Sequence, residues 1–384
     1  MPSSQQIELP TALLGGLSPQ QFMQRHWHKR PRLIRQAMPG VEPPVSRVRL
    51  FELAASERVE SRLIVKSDGQ WKLKTGPLSR RMLPSLSQRE WTLLVQGVDL
   101  HEPRARELLD RFRFVPEARL DDLMISWASD GGGVGPHFDS YDVFLLQVQG
   151  RRTWRIGRLR DPELVEGLPL KILSNFEPEE TWTLEPGDML YLPPLWAHDG
   201  VAQGECITCS IGFRAPAARA LAREVLGRML DADDEHADDR RLYRDPKQPA
   251  TVTPAHVPQT LRDFAHEAVA RALSDERLFD AALGEALTEP KPQVWFDPGM
   301  PLLDGAGVVL DARTRMLYDA HHVFINGESW RAGGADARLM RRLADRRRLS
   351  NNELARASSE ARELLDQWAE DGWLHSEGDV DGHD

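Results

Sequence analysis

Two histidines and one aspartate have the residue types and spacing of a metal site. His137 and Asp139 follow a glycine-rich turn at residues 131–135 and precede the apolar segment 143–148, which predicts a buried strand. Side chains of an extended segment alternate between two faces, so His137 and Asp139 project the same way. An isolated His-x-Asp pair is, however, more often a surface feature than a ligand set.

A second segment supplies the third ligand. Residues 184–194 predict a turn at 186–187, a short apolar strand and a proline stop, and His198 follows. Two imidazoles and one carboxylate make up the facial triad that holds Fe(II) and leaves coordination positions open. Because two matched strand-and-turn contexts rarely coincide by chance, we interpret His137, Asp139 and His198 as a metal site.

Arg152 is a further candidate because its strand buries a charge. Residues 151–156 predict a strand that returns after a turn at residues 149–150. Alternation places Arg152 on the same face as Trp154 and Ile156, where a guanidinium needs an anionic partner. That partner is either a carboxylate of the protein, which makes Arg152 structural, or a carboxylate of a bound co-substrate, received in a bidentate manner.

Composition restricts the class of protein. The chain has 384 residues, 41% hydrophobic and 28% charged, which suffices for a large core and two or three domains. The sequence offers no apolar run of membrane-spanning length and no secretory signal, so we expect a soluble cytoplasmic protein without a membrane partner. The formal net charge of −10 argues against non-specific nucleic-acid binding and is compatible with a basic protein partner.

Cys206 and Cys209 form a C-x-x-C motif, which raises the question of a redox pair or a zinc site. The surrounding segment alternates as a strand, so side chains three residues apart face opposite ways. A zinc site would need two further ligands, which the spacing does not offer. We therefore predict two buried thiols that do not meet.

The N-terminal half predicts a β-rich unit with helices packed outside. Its expected features are a capped helix start at Ser18-Pro19, a hairpin about Asp68-Gly69, strands at 91–96 and 122–127, and a helix over 102–112. His26 and His28 lie among cations that would repel a metal ion, so a structural or surface role is favoured for them.

Beyond residue 216 the composition changes to alanine, leucine and arginine at helical spacing. Helices expected near 221–230, 261–273 and 278–287 carry apolar stripes that one short segment cannot cover alone, which predicts a homodimer. The acidic run 231–239 predicts a solvated loop.

The last part of the chain predicts a winged helix. Its elements are strands at 307–310 and 316–318, a hairpin about Asn326-Gly327, two helices, and a short strand at 373–374. The second helix is expected to begin at a capping box, Ser350-x-x-Glu353, and to run through Trp368. Six arginines between residues 338 and 348 could touch nucleic acid, but acidic residues interleave with them, so protein packing is favoured.

Several of these motifs together resemble a known family. The matching segments are residues 27–31, 59–63, 121–126, 131–144, 150–155, 185–188 and 210–216. They are similar to those of the JmjC-type 2-oxoglutarate oxygenases, and most closely of the bacterial ribosomal oxygenases, which hydroxylate an arginine of large-subunit ribosomal protein sixteen. The resemblance is strong from residue 20 to 216 and weaker, though consistent in architecture, towards the end.

The resemblance implies an α+β fold in three domains. These would be a JmjC double-stranded β-helix barrel of the cupin or jelly-roll type at residues 1–216, a helical dimerisation domain at 217–290 and a winged-helix domain at 291–384. It also implies that His137, Asp139 and His198 hold Fe(II), with 2-oxoglutarate and O2 as co-substrates.

For the co-substrate, the resemblance places the distal carboxylate of 2-oxoglutarate on Arg152, with Ser126 as a polar helper. Thr208 stands beside it, where near relatives often have asparagine, which leaves the detailed contacts of the co-substrate open.

For the substrate, the resemblance places an arginine side chain against Asp130, with Tyr141 and Ser210 as further candidates for the same pocket. Asp130 could instead cap the glycine-rich turn, and Tyr141 could simply pack.

The implied activity is hydroxylation of an arginyl β-carbon in a ribosomal protein. A JmjC-type N-methyl demethylase is an alternative that the sequence separates poorly from it. A non-enzymatic cupin-like regulator with a DNA-binding winged helix is the alternative outside enzymes. A complete triad together with Arg152 disfavours the regulator, because a sensor needs no open metal positions.

Overall fold

The described chain forms two compact units. The computed structural model describes residues 6–67, 69–232 and 242–378. The first unit consists of Met1–Ala215, Lys291–Asp297 and Asp311–Arg313, and the second of Pro216–Pro290, Pro298–Leu310 and Thr314–Asp384. The three-domain division with boundaries at residues 216 and 290 stays a prediction.

The first unit is built on one nine-stranded sheet with three α-helices. The helices are α1 (Pro19–Arg25), α2 (Arg47–Ala54) and α3 (Pro103–Asp110), and the strands are β1 (Arg32–Ile34), β2 (Ser61–Ser67), β3 (Gln70–Thr75), β4 (Trp91–Val95), β5 (Leu120–Ala128), β6 (Val143–Arg158), β7 (Glu180–Leu184), β8 (Met189–Leu192) and β9 (Trp196–Phe213). The strand order is β1-β8-β6-β9-β5-β4-β2-β3, with β7 paired to β6. Neighbouring strands run antiparallel.

Local signals in the N-terminal half are confirmed. Helix α1 begins with Pro19 after Ser18, whose side chain accepts from the amide of Gln21 in a capping box. Strands β2 and β3 pair from Arg62 with Thr75 to Ser67 with Gln70, as the hairpin required. Asp68 in its turn lies outside the described residues.

Strand β6 is one continuous strand, and the predicted turn at residues 149–150 is wrong. The register between β6 and β9 shifts on both sides of Gln149, which is a β-bulge. Gly150 adopts a φ of 65°, and a Cβ there would collide with the carbonyl oxygen of Glu205. The glycine therefore allows a close approach to β9 within a bent strand, and the chain does not reverse.

The bulge also changes which residues of β6 lie on the face of the sheet opposite the main core, called the inner face below. Val143 and Leu145 before the bulge pack in the same buried cluster as Trp154 and Ile156 after it. Odd-numbered residues before the bulge and even-numbered residues after it thus share one face. Arg152 is buried on this inner face, as its alternation with Trp154 predicted.

The opposite face of the sheet packs on the main apolar core. Its buried side chains include Leu123, Ile125 and Trp127 of β5, Phe144, Leu146 and Val148 of β6, and Ile207, Cys209, Ile211 and Phe213 of β9, together with Phe22 of α1, Leu53 of α2 and Leu108 of α3. Cys206 instead packs with Ala128 and Ala202. Both cysteines are buried and free, as predicted.

The second unit contains six α-helices and six short strands in its described part. These are α4 (Ala218–Asp231), α5 (Gln259–Ala272), α6 (Glu276–Thr288), β10 (Val308–Leu310), β11 (Met316–Tyr318), β12 (His322–Ile325), β13 (Glu328–Arg331), α7 (Gly334–Arg346), β14 (Arg348–Leu349), α8 (Asn351–Leu354), α9 (Ser359–Glu370) and β15 (Leu374–Ser376). The strands form the sheets β14-β10-β15 and β11-β12-β13. Their core surrounds Leu343, Leu365 and Trp368.

The expected long helix after residue 350 is broken into two. The capping box of Ser350 and Glu353 is present, but α8 ends at Leu354. A second cap follows, in which the Ser358 side chain accepts from the amide of Ala361 and starts α9. Two serine caps within nine residues favour two short helices.

In the described ranges, no helix is both long and apolar enough to cross a membrane. The acidic run at residues 231–239 was predicted to be a solvated loop. Its residues from 233 onwards lie outside the described residues.

Candidate metal and co-substrate site

The three predicted ligands lie together. His137 and His198 form a short antiparallel bridge, with reciprocal backbone N–H to O distances of 3.0 and 2.8 Å. Their ring centroids are 4.2 Å apart, and Nε2 of His198 lies 3.7 Å from the Asp139 carboxylate. One ligand atom of each residue lies within 4.8 Å of the other two. Segments some 60 residues apart in sequence therefore converge on a position where one ion fits.

Both histidines have one nitrogen occupied and one available. Nδ1 of His137 lies 2.8 Å from the carbonyl oxygen of Gly135, and Nδ1 of His198 lies 3.0 Å from that of Trp196. If each Nδ1–H donates to its carbonyl, each Nε2 carries a lone pair for a metal. Burial, together with the neighbouring His137, lowers the pKa of His198 to about 4. A neutral imidazole at neutral pH is the form that binds metal.

Asp139 is tied to its surroundings through backbone and side chain. Its carbonyl oxygen accepts from the amide of Leu195 at 2.8 Å. Its carboxylate hydrogen-bonds with the Tyr141 hydroxyl, and burial and this carboxylate both raise the pKa of Tyr141. Tyr141 therefore stays protonated and can donate to the ligand carboxylate, while its side chain remains 38% exposed.

Arg152 fits an anionic ligand. Its side chain is 5% exposed, and Nη1 donates to Ser126 Oγ at 3.1 Å. Nε and Nη2 are buried without a hydrogen-bond partner among the described residues. The internal salt bridge considered as an alternative therefore has no carboxylate in the described part of the chain. Two unpaired donors of one guanidinium fork match the geometry of a carboxylate.

Trp154 connects Arg152 with the metal ligands along the inner face. The Arg152 guanidinium carbon lies 5.7 Å from the centroid of the Trp154 ring, and the same indole is 5.8 Å from the His198 ring. A Cβ on Gly200 would lie 2.6 Å from the indole, so glycine is needed there. The three side chains line one continuous wall, with Trp154 in the middle.

Ser126 and Thr208 face each other across β5 and β9. The Ser126 hydroxyl donates to the Thr208 carbonyl at 3.4 Å, and the Thr208 hydroxyl donates to Gln147 Oε1 at 2.9 Å. Thr208 thus turns its hydroxyl to Gln147, a fully buried residue that sequence reasoning missed. The sequence feature that could have revealed Gln147 is that it is the one polar residue within the apolar run 143–148.

Asp130 is engaged within the first unit. Its carboxylate accepts from the amide of Gly204 at 2.8 Å and lies 2.8 Å from Nη2 of Arg89. Both partners lie outside the glycine-rich turn at residues 131–135, so the proposed capping of that turn by Asp130 stays a prediction. Ser210 is buried opposite Met124 of β5, in line with Thr208. Neither residue is joined to the triad by a contact among the described residues.

A buried carboxylate three residues after Asp139 was not singled out from the sequence. Asp142 accepts from the Tyr191 hydroxyl at 2.5 Å and lies 3.0 Å from Nε2 of His28. Burial raises the pKa of Asp142. This cluster attaches the segment after α1 to the start of β6, immediately after the metal ligands. In the sequence, the only sign of this cluster was that the segment 137–142 ends in a carboxylate.

Two domain families and several curated proteins match this chain. The JmjC domain matches residues 107–221, and the ROXA-like winged helix matches residues 271–375. Among curated proteins, the ribosomal protein uL16 3-hydroxylase of Escherichia coli is 35% identical over 329 residues, covering 80% of this chain and 84% of that protein. The probable ribosomal oxygenase of Haemophilus influenzae is 28% identical and covers 93% and 96%.

Solved structures agree. YcfD, a ribosomal oxygenase from Escherichia coli, in complex with cobalt and 2-oxoglutarate, superposes with a TM-score of 0.80 at 31% identity, covering 94% of this chain and 99% of that one. The complex of the same protein with cobalt and succinic acid gives the same values. This chain belongs to the JmjC-domain ribosomal oxygenase family. The predicted fold, a JmjC barrel with a C-terminal winged helix, is confirmed.

Proposed function

We propose that this protein is an Fe(II)- and 2-oxoglutarate-dependent hydroxylase that oxidises the β-carbon of an arginyl residue in a large-subunit ribosomal protein. The observation that carries the proposal is the buried Arg152 guanidinium with two unpaired donors, on the same wall as a neutral His198. A metal triad alone would suit many reactions. A buried guanidinium beside it, with two donors unpartnered among the described residues, favours an anionic co-substrate.

His137, Asp139 and His198 would hold the iron, and Arg152 with Ser126 would hold the distal carboxylate of 2-oxoglutarate. When bound, iron, 2-oxoglutarate and O2 supply the oxidation of a C–H bond. The chain itself orients both histidines through their Nδ1 contacts, holds Asp139 next to the Tyr141 hydroxyl, and provides Trp154 as an apolar wall. Thr208 would act on the co-substrate through Gln147.

The substrate assignment is supported by the relatives and by charge. The Escherichia coli relative is named a ribosomal protein uL16 3-hydroxylase. A net charge of −10 suits a basic ribosomal protein. Asp130, Tyr141 and Ser210 remain the proposed contacts of the substrate arginine, and Asp130 would have to exchange Arg89 for that arginine.

Mass spectrometry of ribosomal proteins from cells with and without the gene tests the proposal. The expected result is one added oxygen, about +16 Da, on an unmethylated arginine, present only with the gene. Loss of about 14 Da per methyl group from a methylated residue would establish the demethylase instead. DNA binding without 2-oxoglutarate turnover, measured with Fe(II) and ribosomal peptides, would favour the regulator.

We also propose a homodimer formed through α4, α5 and α6. Helix α5 has no buried side chain, and Leu230 of α4 and Val269 of α5 are 76% and 60% exposed. Such apolar area on helices is typical of a subunit interface. Light scattering should show a dimer at micromolar concentration, and Val269→Glu should shift it to monomer. Val252→Glu, at a 98% exposed position outside the helices, is the control.

The winged helix is proposed to serve protein packing, and direct nucleic-acid binding is not expected. Arg342 and Arg346 both contact Glu353, and Arg347 is buried and donates to the Thr314 carbonyl. Helix α9 exposes the carboxylates of Glu360, Glu363, Asp366 and Glu370. Salt-dependent binding of duplex DNA or RNA in a mobility-shift assay would contradict this. A cytoplasmic location likewise stays a prediction.

A further inference from the structure

Leu195 has an unusual backbone conformation. It lies in the turn between β8 and β9, directly after Pro193 and Pro194, with a φ of 64°. A turn with proline at its second position and positive φ at its third favours glycine or asparagine at that third position, because a Cβ is strained there. Leucine is among the least suited residues for it.

Among the described residues, Leu195 is the only apolar side chain with positive φ. The other non-glycine residues in this region are His28, Gln36, Glu90, Asp161, Asn326 and Arg347, all polar. Leu195 is also 53% exposed, so burial within the chain recovers only part of the cost of the strained backbone. A strained residue that persists without a full packing role points to a functional one.

The position of Leu195 suggests which function. Its amide donates to the carbonyl oxygen of Asp139, and it precedes His198 by three residues. Tyr141, 38% exposed, follows Asp139 by two residues and hydrogen-bonds with its carboxylate. Leu195 and Tyr141 therefore present partly exposed apolar surface directly beside a metal ligand.

We propose that Leu195 is a specificity-determining residue, whose exposed side chain contacts an apolar side chain of the protein substrate next to the residue that is oxidised. The occupant is the substrate segment, because the Leu195 amide is hydrogen-bonded to the backbone of Asp139, so a polypeptide that delivers a C–H bond to the metal would come close to the turn that carries Leu195. This inference rests on the proposed function. It adds a subsite for a neighbouring substrate residue to the pocket for the target side chain.

Substitutions at Leu195 separate this role from a structural one because the two predict opposite outcomes. Leu195→Gly and Leu195→Asn relieve the strain, so the melting temperature should stay equal or rise by about 2–4 °C. The same variants lose the apolar contact, so KM for intact Escherichia coli uL16 should rise about three- to tenfold with little change in kcat. Leu195→Met keeps an apolar side chain and should retain the wild-type KM. Leu9→Asn, at another exposed leucine, should leave KM unchanged.

A peptide series sharpens the test. In peptides centred on the oxidised residue, apolar neighbours are replaced one at a time by serine. With the wild-type enzyme one replacement should raise KM, and with Leu195→Asn the same replacement should have no further effect, which marks a direct contact.

The contrary outcomes are distinct. Lower melting temperature with unchanged KM in Leu195→Gly and Leu195→Asn would establish a structural role and overturn the inference. Additive effects of Leu195→Asn and every serine replacement would overturn it as well. If the wild-type enzyme adds no oxygen to uL16, the proposed function fails first, and the subsite with it.

Discussion

The two faces of the nine-stranded sheet use alternate residues of the same strands for different tasks. On β5, Ile125 and Trp127 point into the main core, whereas Ser126 between them points into the barrel and accepts from Arg152. On β9, Ile207 and Cys209 belong to the core and Thr208 to the inner face. The core face is mainly apolar, whereas the inner face also carries the buried Arg152, with Nε and Nη2 unpartnered among the described residues.

The difference shows how the protein combines stability with a reactive site. Each apolar side chain buried on the core face stabilises the fold by about 1.5–3 kcal/mol. A buried donor without a partner costs about 1–3 kcal/mol, and Arg152 alone has two such donors. The core face offsets that cost, and the unpaired groups of the inner face are available to ligands. Substitutions on the two faces should therefore have opposite signatures.

The largest effect is expected at the metal ligands. His137→Ala or Asp139→Ala should lower 2-oxoglutarate turnover by at least about a thousandfold, because a lost ligand removes iron and with it several kcal/mol of barrier reduction. The fold should remain largely intact, since neither side chain belongs to a packed core. Iron content and turnover are measured together with melting temperature. Normal iron content and turnover in either variant would show that the triad assignment is wrong.

The opposite signature is expected at Phe144, which lies on the core face among Phe22, Phe112 and Tyr191. Phe144→Ala should lower the free energy of unfolding by about 3–5 kcal/mol, because it leaves a cavity among packed rings. The protein that remains folded should still bind 2-oxoglutarate with wild-type affinity. Urea denaturation and ligand titration check the two parts. A loss of ligand affinity without a loss of stability would remove the distinction between the faces.

Arg152→Met is expected to weaken 2-oxoglutarate binding about ten- to a hundredfold, since a charge-assisted hydrogen bond contributes about 1.5–3 kcal/mol. Stability should be unchanged or higher, because an unpaired buried cation is removed. The metal-to-ligand charge-transfer band under nitrogen reports the affinity, and Arg151→Met, at the exposed neighbouring position, is the control. If the Arg152→Met variant has a lower melting temperature but binds 2-oxoglutarate with wild-type affinity, Arg152 instead forms a structural salt bridge with a carboxylate of the protein.

A smaller, pH-dependent effect is expected at Asp122, a buried carboxylate near the start of β5. Burial raises its pKa to about 6, although Lys291 Nζ lies 3.7 Å away. Between about pH 4 and pH 6 the folded protein keeps a proton that the unfolded chain releases, so this group makes stability fall as pH rises. The expected loss is up to about 3 kcal/mol at pH 7.

Asp122→Asn removes this component, so wild type should lose stability relative to the variant from pH 4 to pH 6. Urea denaturation at four pH values measures the difference. Parallel pH profiles of the two proteins would mean that folding does not raise the pKa of Asp122.

Local sequence patterns were sufficient for much of the site. The alternation of an extended segment placed Arg152 and Trp154 on one face, and the same rule separated Cys206 from Cys209. The serine caps at residues 18 and 350 follow from hydrogen bonds between residues three apart. His137, Asp139 and His198 were identifiable because each follows a turn or proline stop next to a strand. All these features depend on neighbours in sequence.

Contacts between distant segments decided the rest. The bulge that keeps β6 continuous depends on its register with β9, and the register shift around Gln149 cannot be read from β6 alone. Whether Arg152 meets a protein carboxylate, whether Thr208 turns to Gln147, and whether Asp130 is already held by Arg89 depend on which side chains the sheet brings within about 3 Å. Alternation specifies the face on which a side chain lies, whereas its partner is specified by the packing of the whole barrel.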